Sequence, residues 1–156
     1  AADGDALGVQ DAKASERGLL RLTGDFRELR AGRQRAGRRR VRRGEVWWGA
    51  APLPGGSRKR RPFLVVSVDA FNCNDLYPKV MVVHLTTSQR AGGPFRWEVE
   101  VPRGTAGLQA TSIVKCNEVY TLLKTHLDVL AGTLPHAYLA RVDRALATSL
   151  GLGGPR

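Results

Sequence analysis

The residues best suited to chemistry in this chain are an arginine, a basic loop and a pair of threonines. Arg61 stands directly before Pro62 and the apolar run Phe63-Leu64-Val65-Val66, after the loop Gly55-Gly56-Ser57-Arg58-Lys59-Arg60. Proline is tolerated at the start of a strand and pushes the residue before it into extended backbone. The guanidinium of Arg61 is therefore expected where a glycine-rich turn becomes sheet, and its planar fork matches the oxygens of a phosphate. A second strand, Val80 to Thr86, ends in the hydroxyl-rich Thr86-Thr87-Ser88. Fixed cations stabilise charge that builds on a phosphoryl oxygen, and hydroxyls orient a phosphate as donors and acceptors. The chemistry implied is that of a phosphodiester. Basic loops and strand-end threonines are common, so on composition alone an ordinary structural role for each comes first.

Other chemistries find little support. There is no zinc-ligand spacing, no phosphate-binding glycine loop and no dinucleotide fingerprint. The three histidines, His84, His126 and His136, are scattered, and no serine stands in a nucleophile elbow. No metal site and no cofactor are expected. Two cysteines, Cys73 and Cys116, are too few for a disulfide framework and read as reduced thiols. No apolar run approaches the ~18 residues of a membrane span, and no signal peptide opens the chain. The expectation is a soluble cytoplasmic protein. Its net charge of +11 favours association with a polyanion.

The elements that must position these residues follow from periodicity. Residues 1–40 are expected to form a basic N-terminal extension, flexible or partly helical; Leu19, Leu22, Phe26 and Leu29 could line one face of a marginal helix, followed by an arginine cluster. The second unit spans 41–156. Strands are expected over Gly44 to Gly49, Phe63 to Val68, Val80 to Thr86, Phe95 to Val101, and Ser112 to Leu123 as one or two pieces. In the third, Met81, Val83 and Leu85 should face one way and Val80, Val82, His84 and Thr86 the other. Asp69 to Asp75 reads as a polar loop. Leu139, Val142, Leu146 and Leu150 recur at helical spacing, with Pro135 at the start and Gly151 as a stop. The fold class is mainly β with a C-terminal helix, a small barrel.

In their order, the motifs Arg42-Arg43-Gly44-Glu45-Val46-Trp47-Trp48, Gly56-Ser57, Arg61 to Ser67, Asp69-Ala70-Phe71-Asn72, Val80 to Thr87 and Leu150-Gly151-Leu152 resemble the MazF/PemK family over about residues 42–152. These are toxins of type II toxin–antitoxin modules. The resemblance implies an SH3-like barrel, related to CcdB, that forms a homodimer, pairs with a cognate MazE-like antitoxin and cleaves single-stranded RNA without a metal. The products would be a 2′,3′-cyclic phosphate and a 5′-hydroxyl. It further implies Arg61 and Thr86 as the catalytic pair, with Thr87 the fallback register, and Ser57, Arg58, Lys59, Arg60 and Ser88 as RNA contacts. Arg61 suits charge stabilisation, with proton donation as a second role, since a guanidinium resists acting as a base. His84 shares the face of Thr86 and titrates near neutrality; packing is the first expectation for it and acid–base work the second. Several family members carry an acid where this chain has Arg58-Lys59-Arg60, which speaks against acid-assisted cleavage here. Trp47, Phe71 and Phe95 could stack on bases, with core packing the more ordinary role. Val41 falls where such proteins begin with methionine, so translation from a valine codon is one expectation, and antitoxin mimicry by Leu19–Leu29 the alternative. A gyrase-binding CcdB-like toxin and a non-catalytic RNA-binding barrel are the competing functions.

Overall fold

The computed structural model describes residues 40–56, 58–87 and 92–152. The helix expected around Leu19–Leu29, the arginine cluster as far as Arg39, and Ser57 and Ser88 lie outside these residues.

Six strands form one antiparallel sheet: β1 (Glu45–Gly49), β2 (Arg61–Val65), β3 (Lys79–Thr86), β4 (Glu98–Val101), β5 (Ser112–Leu123) and β6 (Leu127–Thr133), in the order β4-β5-β3-β2-β1-β6. A short helix α1 (Asp69–Asn72) lies between β2 and β3, and α2 (His136–Leu150) ends the fold. The unbroken apolar run of β2 is explained by burial on both faces, as central strands require. Leu64 and Val66 join Val46, Val83, Leu85, Val99, Val101, Val114 and the α2 residues Val142 and Ala145 in one core. Phe63 and Val65 join Val41, Leu53, Val80, Val82, Leu122 and Leu127 in a second. The alternation read in β3 is borne out, Val83 and Leu85 falling in the first core and Val80 and Val82 in the second.

The sheet curls without a hydrogen-bonded seam. Its edges meet where the turn Thr105–Gly107, which follows β4, packs on β6. A Cβ on Gly107 would stand 2.1 Å from Ala131 O, and one on Gly132 would stand 2.7 Å from the carbonyl carbon of Ala106. Two glycines thus permit the backbone contact that gives the barrel its closure.

Several boundaries differ from expectation. β2 already begins at Arg61, pairing with β1 as Gly49↔Arg61 and Trp48↔Pro62, while its ladder to β3 begins at Phe63. Residues 69–72 of the expected polar loop are helical because Asn72 is buried as an anchor rather than solvated. Of the one or two strands expected in 112–123 the structure has one, with a shift of register against β3 between Val83 and Leu85. Phe95 and Trp97 precede β4 and stack on each other at 4.9 Å. β6 was not expected at all: Leu-Asp-Val-Leu-Ala-Gly-Thr lacks clean alternation, and it leaves Val129 and Leu130 exposed. Helix α2 follows its periodicity, with Pro135 at the N-cap and Gly151 at the C-cap in the left-handed region, φ 70°.

Candidate active site

The site is assembled where β2 starts and β3 ends. Pairing runs Phe63↔His84, Leu64↔Val83 and Val65↔Val82. Continued by two residues, that register sets Arg61 opposite Thr86, and opposite residues of an antiparallel pair share a face. Arg61 and Thr86 line one cleft of about 530 Å³ together with Lys59, Arg60, His84 and Thr87. Trp48 adds an aromatic side chain to the lining, which also includes Gln109, Ala110 and Ser112. Arg61 and Thr86 are half-buried, which leaves them accessible yet held by the sheet.

Of the expected contact residues, Lys59 and Arg60 join this cleft. Arg58 is exposed and outside the cleft lining, and its charge adds to burial, the larger cause, in lowering the pKa of His126. The Arg60 guanidinium lies 5.7 Å from the centroid of the Trp48 ring and its Nε lies 3.7 Å from Asp128. The expected stacking aromatics are elsewhere: Trp47 packs on the second core with its indole N–H donated to Glu45 (2.8 Å), Phe71 leans on Tyr77, and Phe95 on Trp97. Trp48 was overlooked. Its signal was the paired-tryptophan motif itself, because adjacent strand residues face opposite ways and the two rings cannot share one surface.

His84 also lines the cleft, although it is buried. Its Nδ1 makes no hydrogen bond and stands 3.6 Å from Glu118 Oε2. Burial lowers its pKa below 6.5; the positive charges of Arg61 and Lys115 act in the same direction, against the pull of Glu118. Tyr120 donates its hydroxyl to that same Glu118 oxygen at 2.8 Å, and its pKa is pushed up to about 12, first by burial and then by this bond. Glu118 and Tyr120 also went unremarked in the sequence, because the register shift in β5 that carries Glu118 toward His84 leaves no mark on residue types. Among the described residues no three His, Cys, Asp or Glu side chains converge as a metal site.

Residues 42–150 match the model of the PemK-like, MazF-like toxins of type II toxin–antitoxin systems. The chain belongs to this family. The endoribonuclease MazF6 of Mycobacterium tuberculosis is 32% identical over 114 residues, covering 72% of this chain and 98% of its own. A probable endoribonuclease MazF of Mycolicibacterium smegmatis is also 32% identical, covering 73% of this chain and all of its own length (100%). Among solved structures, a mycobacterial endoribonuclease in complex with its cognate antitoxin superposes with a TM-score of 0.60 at 29% identity, covering 74% of this chain and 99% of that one. The SH3-like barrel with a C-terminal helix is thus the family's fold, and the arginine–threonine cleft lies within the segment shared with these toxins. No helix among the described residues is long and apolar enough to cross a membrane.

Proposed function

We propose that this MazF/PemK-family toxin is an endoribonuclease that cuts single-stranded RNA in the cleft where β2 starts and β3 ends, by attack of a ribose 2′-hydroxyl on the adjacent phosphate. The observation that carries the reading is that Arg61 and Thr86, each two residues beyond the Phe63↔His84 pair, line the same cleft. Arg61 stabilises the charge developing on the phosphoryl oxygens, and Thr86 orients the phosphate through its hydroxyl, with Thr87 beside it. Lys59 and Arg60 hold the neighbouring phosphates, and Arg58, Ser57 and Ser88 extend the contact along the strand of RNA. With this much fixed positive charge around the phosphate, the reaction needs no metal ion and no organic cofactor. The products are a 2′,3′-cyclic phosphate and a 5′-hydroxyl.

The named relatives support the rest of the reading. They are endoribonucleases, and one is solved with its cognate antitoxin. This chain then works as a homodimer in the cytoplasm, held in check by a MazE-like antitoxin. Its toxin domain is 41–156, with 1–40 a basic extension. In support of that boundary, Val41 is fully buried in the second core, so the barrel's packing already begins there.

The test is to incubate purified protein with a defined single-stranded RNA in EDTA and to map both new ends. Cyclic-phosphate ends that vanish in Arg61→Ala are the expected result. Binding without scission would leave a non-catalytic RNA-binding barrel, and gyrase poisoning without RNA damage a CcdB-like toxin.

A further inference from the structure

Attack by a 2′-hydroxyl requires something to take its proton, and neither Arg61 nor Thr86 is a competent base at neutral pH. The cleft is lined by Trp48, Lys59, Arg60, Arg61, His84, Thr86 and Thr87, among others, and of all its lining residues only His84 can accept a proton near neutrality. We propose that His84 is the general base of the cleavage, receiving the 2′-hydroxyl proton on Nε2 while Glu118 steadies the imidazolium that results. This rests on the RNA-cleaving reading above and adds to it a residue and a role.

The geometry fits that role better than packing. A histidine kept in a strand for structure has its buried nitrogen hydrogen-bonded. Here Nδ1 is buried and unpartnered, with Glu118 Oε2 3.6 Å away, too long for a hydrogen bond but close enough for charge to be felt. A carboxylate on that side favours the tautomer with the proton on Nδ1. The lone pair then belongs to Nε2, on the far side of a ring that lines the cleft. Glu118 is itself held by the Tyr120 hydroxyl, and the Tyr120 and His84 rings lie 5.9 Å apart. The groups that bear on His84 are Arg61 on β2 and Lys115, Glu118 and Tyr120 on β5. Burial and the two cations outweigh Glu118, so the ring stays neutral at neutral pH, the form a base needs.

The step balances as follows. The 2′-oxygen bonds to phosphorus as its proton passes to His84 Nε2. The bond from phosphorus to the 5′-oxygen breaks, and that oxygen takes a proton from water. His84 then returns its proton to solvent, and the neutral ring is restored. Glu118 touches no reacting atom and is a positioning residue.

The experiment measures kcat/KM against pH on a defined single-stranded RNA in EDTA for wild type, His84→Gln and Glu118→Gln, with binding read on the 2′-deoxy version of the same oligonucleotide. Wild type should show an acid limb with an apparent pKa below 6.5. His84→Gln should lose about 10²- to 10⁴-fold in rate and lose the limb, while binding the 2′-deoxy oligonucleotide as wild type does. Glu118→Gln should move the limb to lower pH, since it removes the one charge that raises the pKa of His84. His84→Ala should recover part of the lost rate when imidazole is added. A wild-type profile without an acid limb overturns the proposal even if no His84 variant folds. Wild-type rate or an unchanged limb in His84→Gln overturns the base assignment while leaving the nuclease reading intact. RNA left whole by wild type overturns both.

Discussion

The two ends of β2 use polar residues in opposite ways. At its far end Ser67, Asn72 and Asp69 form a closed knot. Asn72 is fully buried and donates to Ser67 O at 2.7 Å and to Asp69 Oδ1 at 3.2 Å, while the Ser67 hydroxyl donates to Asn72 Oδ1 and accepts from the Met81 N–H at 3.0 Å. Asp69 also accepts the Arg43 N–H, and buried Lys124 caps the carbonyls of Phe71 and Asn74 at 3.2 and 3.0 Å. At the near end, positive side chains crowd one wall and a buried histidine nitrogen has no hydrogen-bond partner. A satisfied network specifies one conformation, whereas a buried polar atom with no hydrogen-bond partner leaves room for a further group to bind. The motif that resembles the family spans both ends, so membership alone does not separate its scaffolding half from its chemical half. Burial and hydrogen bonding do.

Crossing one substitution at each end tests that division, and the largest effect is expected at the cleft. Arg61→Ala should lower the single-turnover cleavage rate by about 10²- to 10³-fold, the scale for removing one group that stabilises developing charge. Its melting temperature should stay near that of wild type, because a half-exposed side chain outside both cores is being trimmed. Asn72→Ala should do the reverse. It strands Ser67 O inside the fold and removes the acceptor of the Ser67 hydroxyl, at a cost of about 1–3 kcal/mol, and well below the melting temperature the surviving protein should cut RNA at nearly the wild-type rate. Loss of activity in Asn72→Ala without a fall in urea midpoint would erase the distinction between the ends.

The sequence announced the scaffold more openly than the site. Phe63 to Val66 declared a buried strand, the alternation of Val80 to Thr86 separated Val83 and Leu85 from Val80 and Val82, and Pro135 with Gly151 bracketed the helix, because all three signals are local. β6 was silent because its side chains face no consistent apolar surface; its place is set by partners on β1 and by the backbone contact with Gly107. At the site, Arg61 and Thr86 were legible through motif order. Glu118 and Tyr120 were not, since they reach His84 through a register shift, and Trp48 was hidden behind its neighbour Trp47. Side-chain convergence from β5 onto β3 depends on long-range register, which residue type does not encode.

A subtler difference between the ends should appear in salt dependence. Lys59→Gln with Arg60→Gln removes two cations from the cleft wall while leaving the knot untouched. For single-stranded RNA each phosphate contact contributes about 0.7 to the slope of log affinity against log salt. The double variant should therefore flatten that slope by roughly 1.4, measured by fluorescence anisotropy on a 2′-deoxy oligonucleotide. An unchanged slope would mean that Arg61 and the more distal Arg58 carry the phosphate contacts and that the cation over Trp48 serves the indole ring instead.

The smallest effect is on stability against pH, and it too should come from the cleft side. Burial is the main cause of the lowered pKa of both His84 and His126, each below the usual 6.5. A lowered pKa means that between the folded value and 6.5 the unfolded chain binds protons that the folded chain refuses. Stability therefore rises with pH up to about 6.5, is flat above it as far as these groups go, and falls as the solution is acidified through that window. Urea midpoints at pH 7.5, 6.5 and 5.5 should show a plateau and then a decline. In His84→Gln the decline should be shallower, because one of the two refusing groups is gone. The Ser67–Asn72 knot holds no histidine, so Asn72→Ala should lower all three midpoints by the same amount and keep the shape of the curve. A decline equally steep in His84→Gln would assign the acid sensitivity to His126 alone and would remove the energetic contrast between the two ends of β2.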